Sequence, residues 1–262
     1  MKYMRYRLDG RVAYGVLDGE AVHPVEGSIF GPHEVSPQTI PLAGVELLAP
    51  VAPGKMIAIG LNYKQHAAEV GKPLPEEPLL FLVSPTAVIG PGETIELQTP
   101  AHRIEHEGEL AVVIGKRAYR VDEAEALDYV CGYTCCNDVS DRVLQRRDGQ
   151  FARAKSYPTY KPLGPVIATG LQPDRTRVRV RVGGELRQDG ATSDMICGVA
   201  GLIAFVSRVM PLEPGDVLLT GTPSGVAPLV AGDTVEVEID GIGVLANPVA
   251  AAAAGGVPGG AA

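Results

Sequence analysis

The sequence predicts a mainly β protein with some α, an α+β chain. Two observations predict it. Short apolar or alternating runs recur along the chain, and most are closed by glycine or proline. Helical features are confined to four stretches, residues 62–71, 122–129, 140–148 and 193–211. Composition sets the frame. The 262 residues suffice for one large domain, or a large one with a small one, and 45% hydrophobic with 21% charged residues is ordinary for a globular protein.

In chain order, residues 1–50 alternate short β-patterns with turns. Val12 to Leu17, the Asp18-Gly19 turn and Ala21 to Pro24 predict a hairpin. Prolines 32, 37, 41 and 50 punctuate the rest, so a small β-rich N-terminal domain is expected over 1–50. The second domain spans 51–248. It opens on a short buried strand, Lys55 to Gly60, followed by a helix over 62–71 that Gly71 stops. The proline-rich run 72–78 makes that helix a flap hung on stiff loops. A strand over 81–89 comes next, then Leu110 to Ile114, a helix over 122–129 that Asp122 caps, and a strand over 130–137. Residues 140–148 read as a helix. The strand 178–182 turns back at Gly183-Gly184. A core helix capped by Ser193 reaches Pro211, and strands over 216–220 and 234–239 complete the pattern. Residues 249–262 are Ala/Gly-rich and are expected to be disordered.

Several function classes are excluded. A net charge of -8 argues against a nucleic-acid surface. No signal peptide is visible and no run approaches a membrane span, so no membrane is expected and a cytoplasmic enzyme is the default. Cys131, Cys135, Cys136 and Cys197 form no C-x-x-C; they read as reduced and structural, with Cys135 and Cys136 facing opposite ways on a strand.

The chemistry gathers around Glu107-Gly108-Glu109. On a strand the two carboxylates share a face. They read either as a solvated pair or as a repelling pair that a divalent cation would reconcile, with oxygen-only ligation suiting Mg²⁺ or Mn²⁺. Asp138, at the end of another strand, could complete such a site. His66 and Glu69 share a helix face, as a surface pair or as a general base held by a carboxylate. Lys155 is either a surface charge or a partner for a substrate carboxylate. Arg142, Arg146, Arg147 and Arg153 form a basic cluster that could meet an anionic small molecule. The Gly221-Thr222-Pro223-Ser224-Gly225 loop offers backbone N–H groups and a hydroxyl to a ligand.

Taken together, these segments resemble the fumarylacetoacetate hydrolase family, as a bacterial two-domain member. The resemblance is carried by Ile59 to Tyr63 with His66 and Glu69, Glu107 to Gly115, Gly132-Tyr133-Thr134 with Asn137 to Ser140, Lys155-Ser156, Pro162 to Pro165, and Leu219 to Val226. They stand in family order over roughly residues 55–245. The resemblance implies a mixed β-sandwich roll and a homodimer. It implies Mg²⁺ or Mn²⁺ held by Glu107, Glu109 and Asp138, with His66, Glu69 and Lys155 catalytic and Arg142, Gln145 and Thr222 binding substrate. The implied activity is C–C cleavage of a small 2-oxo or enol dicarboxylate, by hydrolysis or decarboxylation through a metal-stabilised enolate. The alternatives are an isomerase of the 2-hydroxyhepta-2,4-diene-1,7-dioate type in aromatic-acid catabolism, and a metal-binding, non-catalytic family member. The chain departs from the family pattern at Val83, where a lysine is usual, at Asp141 and Val143 in the usual S-A-R-D-x-Q, and at Pro158-Thr159-Tyr160.

Overall fold

Three sheets and four α-helices make up the computed structural model, which describes residues 1–253. The chain is mainly β with a minority of helix, as the sequence predicts. The strand Gly108–Ile114 lies within a 13-stranded mixed sheet. It pairs antiparallel with Val130–Asn137 on one side and with Val217–Leu219 on the other. Beyond the latter come Met56–Gly60, parallel, and then Leu79–Val83 at the edge.

Both faces of this sheet are buried. Leu110, Val112 and Ile114 point into one apolar cluster, while Ala111 and Val113 point into a second. The first cluster is shared with a five-stranded sheet that contains Arg177–Val182, Thr234–Ile239 and Gly243–Ala251. Gly108 is the point of closest approach. A Cβ there would sit 2.2 Å from Val180 Cγ2, so only glycine lets the second sheet lie down over the start of the strand. Cys135 joins the first cluster and Cys136 the second, the opposite facing expected of them, and all four cysteines are free.

The N-terminal strands Lys2–Leu8, Arg11–Asp18 and Ala21–Gly27 form a meander that continues the large sheet, with Tyr3 opposite Ile167 of the strand Lys161–Ala168.

Helix α1 spans Lys64–Glu69, α2 Arg142–Asp148, α3 Ala152–Lys155 and α4 Val199–Val209. Several elements are shorter than expected. The strand over 81–89 stops at Val83, because Ser84-Pro85 starts a 3₁₀ turn in which the Ser84 hydroxyl caps the Thr86 N–H. The residues 122–129 form a 3₁₀ rather than an α helix from Glu123, and the Asp122 side chain makes no capping bond. The core helix starts at Val199 with Gly198 at its N-cap, not at Ser193. The residues before it are used elsewhere: the Asp194 carboxylate accepts the Gln65 N–H in the first turn of α1. Residues 249–251, expected to be part of a disordered tail, continue the last strand, where Ala251 pairs with Leu97. Backbone pairing holds them without help from side chains. The rest of that stretch, 254–262, lies outside the described residues.

Candidate active site

The pairing register builds the acidic centre. Gly108 lies opposite Asn137, and the Asp138 N–H donates to the Glu107 carbonyl at 2.8 Å. One turn of chain after a strand is thereby brought beside the residue before another. Carboxylate oxygens of Glu107, Glu109 and Asp138 come within 4.8 Å of one another, all three buried. Such an all-oxygen cradle suits a hard dication. The electrostatics agree. Burial, then the charges of Asp138 and Glu107, push the Glu109 carboxyl well above its usual range. Its one hydrogen bond among the described residues comes from the Gly221 N–H at 2.8 Å. A dication would remove that conflict, so Glu107, Glu109 and Asp138 fit the metal that the resemblance implies.

Cations brace the other sides of these carboxylates. Lys155, the last residue of α3, donates to Glu107 Oε2 and Asp138 Oδ2, both at 2.6 Å. Arg142, the first residue of α2, donates to Glu105 Oε2 at 2.6 Å, to Gln145 Oε1 at 2.7 Å, and to Glu107. Burial alone would raise the Glu107 carboxyl, but Arg142 and Lys155 hold it far below the usual carboxylate range. For Lys155 burial is likewise outweighed, here by Asp138 and Glu107, so the ammonium is held more firmly than usual. Lys161 differs. It is fully buried, its Nζ 2.7 Å from Asp138 Oδ1 in an ion pair. Burial lowers its affinity for the proton, since one carboxylate compensates it and Lys155 opposes it.

His66 and Glu69 sit across the cavity on α1. His66 Nδ1 lies 2.8 Å from Glu69 Oε2, and Glu69 Oε1 accepts the Gly225 N–H at 3.0 Å. With a carboxylate on Nδ1, that nitrogen carries the proton and Nε2 keeps its lone pair. The helix is anchored at its start. Asn62 exchanges bonds with both the N–H and the carbonyl of Cys197 and donates to the Thr220 carbonyl. Tyr63 is fully buried.

One cavity of about 770 Å³ joins these groups. His66, Glu69, Glu107, Glu109, Arg142, Gln145, Lys155 and Thr222 all line it, and Asp138 lies just behind. Ile59, Leu79, Phe81 and Phe151 give it an apolar wall; Arg103 and Arg146 add positive charge. The Thr222 hydroxyl is engaged, donating to the Gly108 carbonyl and accepting from Gln188 Nε2, each at 2.8 Å.

Sequence reasoning passed over four supporting residues. Gln188 is fully buried and accepts from the Gly108 N–H while donating to Thr222 and the Pro223 carbonyl, which ties the glycine-rich loop to the diglutamate strand. It also accepts from His106 Nδ1, and burial pushes that imidazole down to about 4, so His106 stays neutral. Glu105 engages Arg103 and Arg142. Lys161 backs Asp138. Glu105, Lys161 and Gln188 reach the site from strands, and His106 from the link between two of them, and the sequence does not spell out how those strands pair. Asp141, a departure from the family pattern, caps α2 through the Val143 and Leu144 N–H groups and accepts from Thr99. It also lies 2.7 Å from His102 Nδ1.

Known proteins share this sequence and shape. The family model of the fumarylacetoacetate (FAA) hydrolase C-terminal domain matches residues 55–250, and an Rv2993c-like, N-terminal model matches residues 1–50. The chain is 43% identical over 223 residues to the oxaloacetate tautomerase YisK of Bacillus subtilis, covering 79% of this chain and 74% of that protein. The structure of a 2-hydroxyhepta-2,4-diene-1,7-dioate isomerase from Mycobacterium marinum is 39% identical, with a TM-score of 0.89 over 96% of this chain and 98% of that one. A maleylpyruvate hydrolase from Sphingobium, solved with manganese(II) and pyruvate, is 30% identical, with a TM-score of 0.81 over 97% of this chain and all of that one. No helix among the described residues is long and apolar enough to cross a membrane.

Proposed function

Because the chain belongs to the fumarylacetoacetate hydrolase family, we propose that this cavity cleaves a C–C bond in a small 2-oxo or enol dicarboxylate, by hydrolysis or decarboxylation. The observation that carries the reading is that a carboxylate-held imidazole and a three-carboxylate cradle line one cavity. Glu107, Glu109 and Asp138 would hold the cofactor, Mg²⁺ or Mn²⁺. When bound, the ion supplies Lewis-acid stabilisation of negative charge developing on the substrate.

The chain's own groups do the rest. His66 Nε2 takes a proton, from water in a hydrolysis, and Glu69 stabilises the imidazolium that results. Lys155 and Arg142 keep the acidic ligands charged and in place, and Lys155 also borders the cavity, where its ammonium can meet a substrate oxygen. Gln145 and Thr222 position the substrate. The apolar wall limits water, and Arg103 and Arg146 supply the counter-charge for a distal carboxylate. The enzyme works as a homodimer in the cytoplasm.

The second reading, isomerisation or tautomerisation, is favoured by the likeness to the Bacillus subtilis tautomerase and the Mycobacterium marinum isomerase. The same dyad would then carry a proton between two carbons of the substrate. Incubation with Mn²⁺ and a panel of oxaloacetate, acylpyruvates and unsaturated 2-oxo dioates, with products identified by mass, tests both. Fragments or CO₂ support cleavage. Products of unchanged mass with a shifted absorption band support isomerisation. No turnover of any 2-oxo acid would leave a metal-binding, non-catalytic protein.

A further inference from the structure

The metal-holding carboxylates are already neutralised by the protein. Glu105, Glu107, Glu109 and Asp138 are all buried. Arg103 and Arg142 pair with Glu105, Arg142 and Lys155 with Glu107, and Lys155 and Lys161 with Asp138. Four formal negative charges thus face four positive ones. A dication would relieve Glu109, which has no cation partner among the described residues, but it enters a cluster whose formal charges already balance, so its own two charges go uncompensated in a setting of low dielectric.

Lys161 stands apart among the four cations. Arg103, Arg142 and Lys155 border the cavity, where each can meet a substrate anion. Lys161 does not border it. It is 0% exposed, and its ammonium is fixed by the Tyr160 carbonyl at 2.9 Å and the Val139 carbonyl at 3.3 Å, with Asp138 Oδ1 at 2.7 Å. It opens the strand Lys161–Ala168, where its backbone neighbour is Val88. The two carbonyls satisfy its N–H groups, but Asp138 is the one carboxylate that compensates its charge, and an aliphatic side chain of that length would cost less to bury. Asp138 is the one proposed metal ligand that it contacts.

We propose that Lys161 is a positioning residue and fixed counter-charge behind Asp138, which lowers the site's affinity for a free dication and so makes firm metal retention depend on a bound anionic substrate. One oxygen of Asp138 is kept turned to Lys161, and the other, which also accepts from Lys155, faces the cradle. A dianionic 2-oxo acid restores the balance that the dication upsets, so metal and substrate bind with positive coupling. The proposal rests on the reading of Glu107, Glu109 and Asp138 as the metal ligands and of a 2-oxo acid as the substrate.

Calorimetric titration of Mn²⁺, with and without oxalate as a dianionic 2-oxo acid mimic, tests it on the full chain. In the parent protein oxalate should tighten Mn²⁺ binding by roughly tenfold or more, within the usual range of linked binding. Lys161→Met should bind Mn²⁺ more tightly than the parent without oxalate and gain less from adding it. Lys161→Arg should behave as the parent does. Lys161→Gln, which can still donate to the two carbonyls, replaces the methionine variant if that one does not fold. An oxalate gain in the neutral variants equal to the parent's would overturn the proposal, even with a lowered melting temperature, because lost packing alone explains that pattern. Glu109→Gln separates the two failures. If it binds Mn²⁺ as the parent does, or if the parent binds none with oxalate present, the metal site is misassigned and the proposal falls with it. If Glu109→Gln abolishes binding while Lys161→Met changes nothing, Lys161 alone is misassigned.

Discussion

On the proposed reading, His66 serves as a base because Glu69 occupies its other nitrogen. On that reading the metal binds the ground state and stabilises developing charge on every route, while the dyad serves only the moment a proton moves. His66→Ala should therefore leave KM for a 2-oxo acid nearly unchanged and lower kcat by about 10²–10⁴. The loss should be larger for hydrolysis of an acylpyruvate than for decarboxylation of oxaloacetate, where no water is activated. Steady-state kinetics on both substrates check this; equal kcat for parent and variant would remove His66 from the mechanism. The residues that act by type and spacing were legible: the E-x-E pair, the i, i+3 His–Glu pair, and Asp138 after a strand. Lys161 and Gln188 carry no such signal. Each sits in an unremarkable strand sequence, and each matters because of what another strand brings beside it.

Helix α1 and the loop 221–225 work as one element, joined by the bond from the Gly225 N–H to Glu69. Gly225 has φ +97°, and a Cβ there would lie 2.1 Å from the Arg187 carbonyl oxygen. Gly225→Ala should therefore shift the loop, cost more than about 1 kcal/mol of stability and release Glu69. Hydrogen exchange over residues 62–78 should rise while Mn²⁺ binding is retained. Unchanged exchange there would mean that the Asn62 bonds hold α1 without the loop. In sequence the loop read as a ligand seat. Two of its N–H groups serve protein carboxylates, Glu109 through Gly221 and Glu69 through Gly225.

Across the whole molecule, the strand Lys161–Ala168 is shared property. It carries Lys161 at one end, pairs with Val130–Asn137 at its middle, and meets the N-terminal strand at Ile167 and Ala168. Tyr3 and Ile29 from residues 1–50 lie in the second apolar cluster, Met4, Tyr6 and Val22 in the first. Deleting residues 1–50 would bare a sheet edge and both clusters at once. The fragment 51–262 should aggregate or melt well below the full chain, as light scattering and calorimetry would show. A soluble fragment with the parent's melting temperature would show that the leader folds on without supporting the rest.

The sequence by itself determined the β-dominated class, the turns and the chemistry-bearing residue types, because alternation, glycine and proline act over a few residues and need no partner. It determined for the same reason that Glu107 and Glu109, and likewise His66 and Glu69, share a face, since strand and helix periodicity decide which side chains do so. Tertiary structure alone decided that Asp138 lies beside Glu107, that Arg142 and Thr222 are engaged with the protein, that Asp194 serves α1 instead of its own helix, and that Lys161 stands behind Asp138. Those relations depend on strand register and on long-range pairing, and a register shift of one residue would exchange every one of those partners while leaving the local sequence signals unchanged.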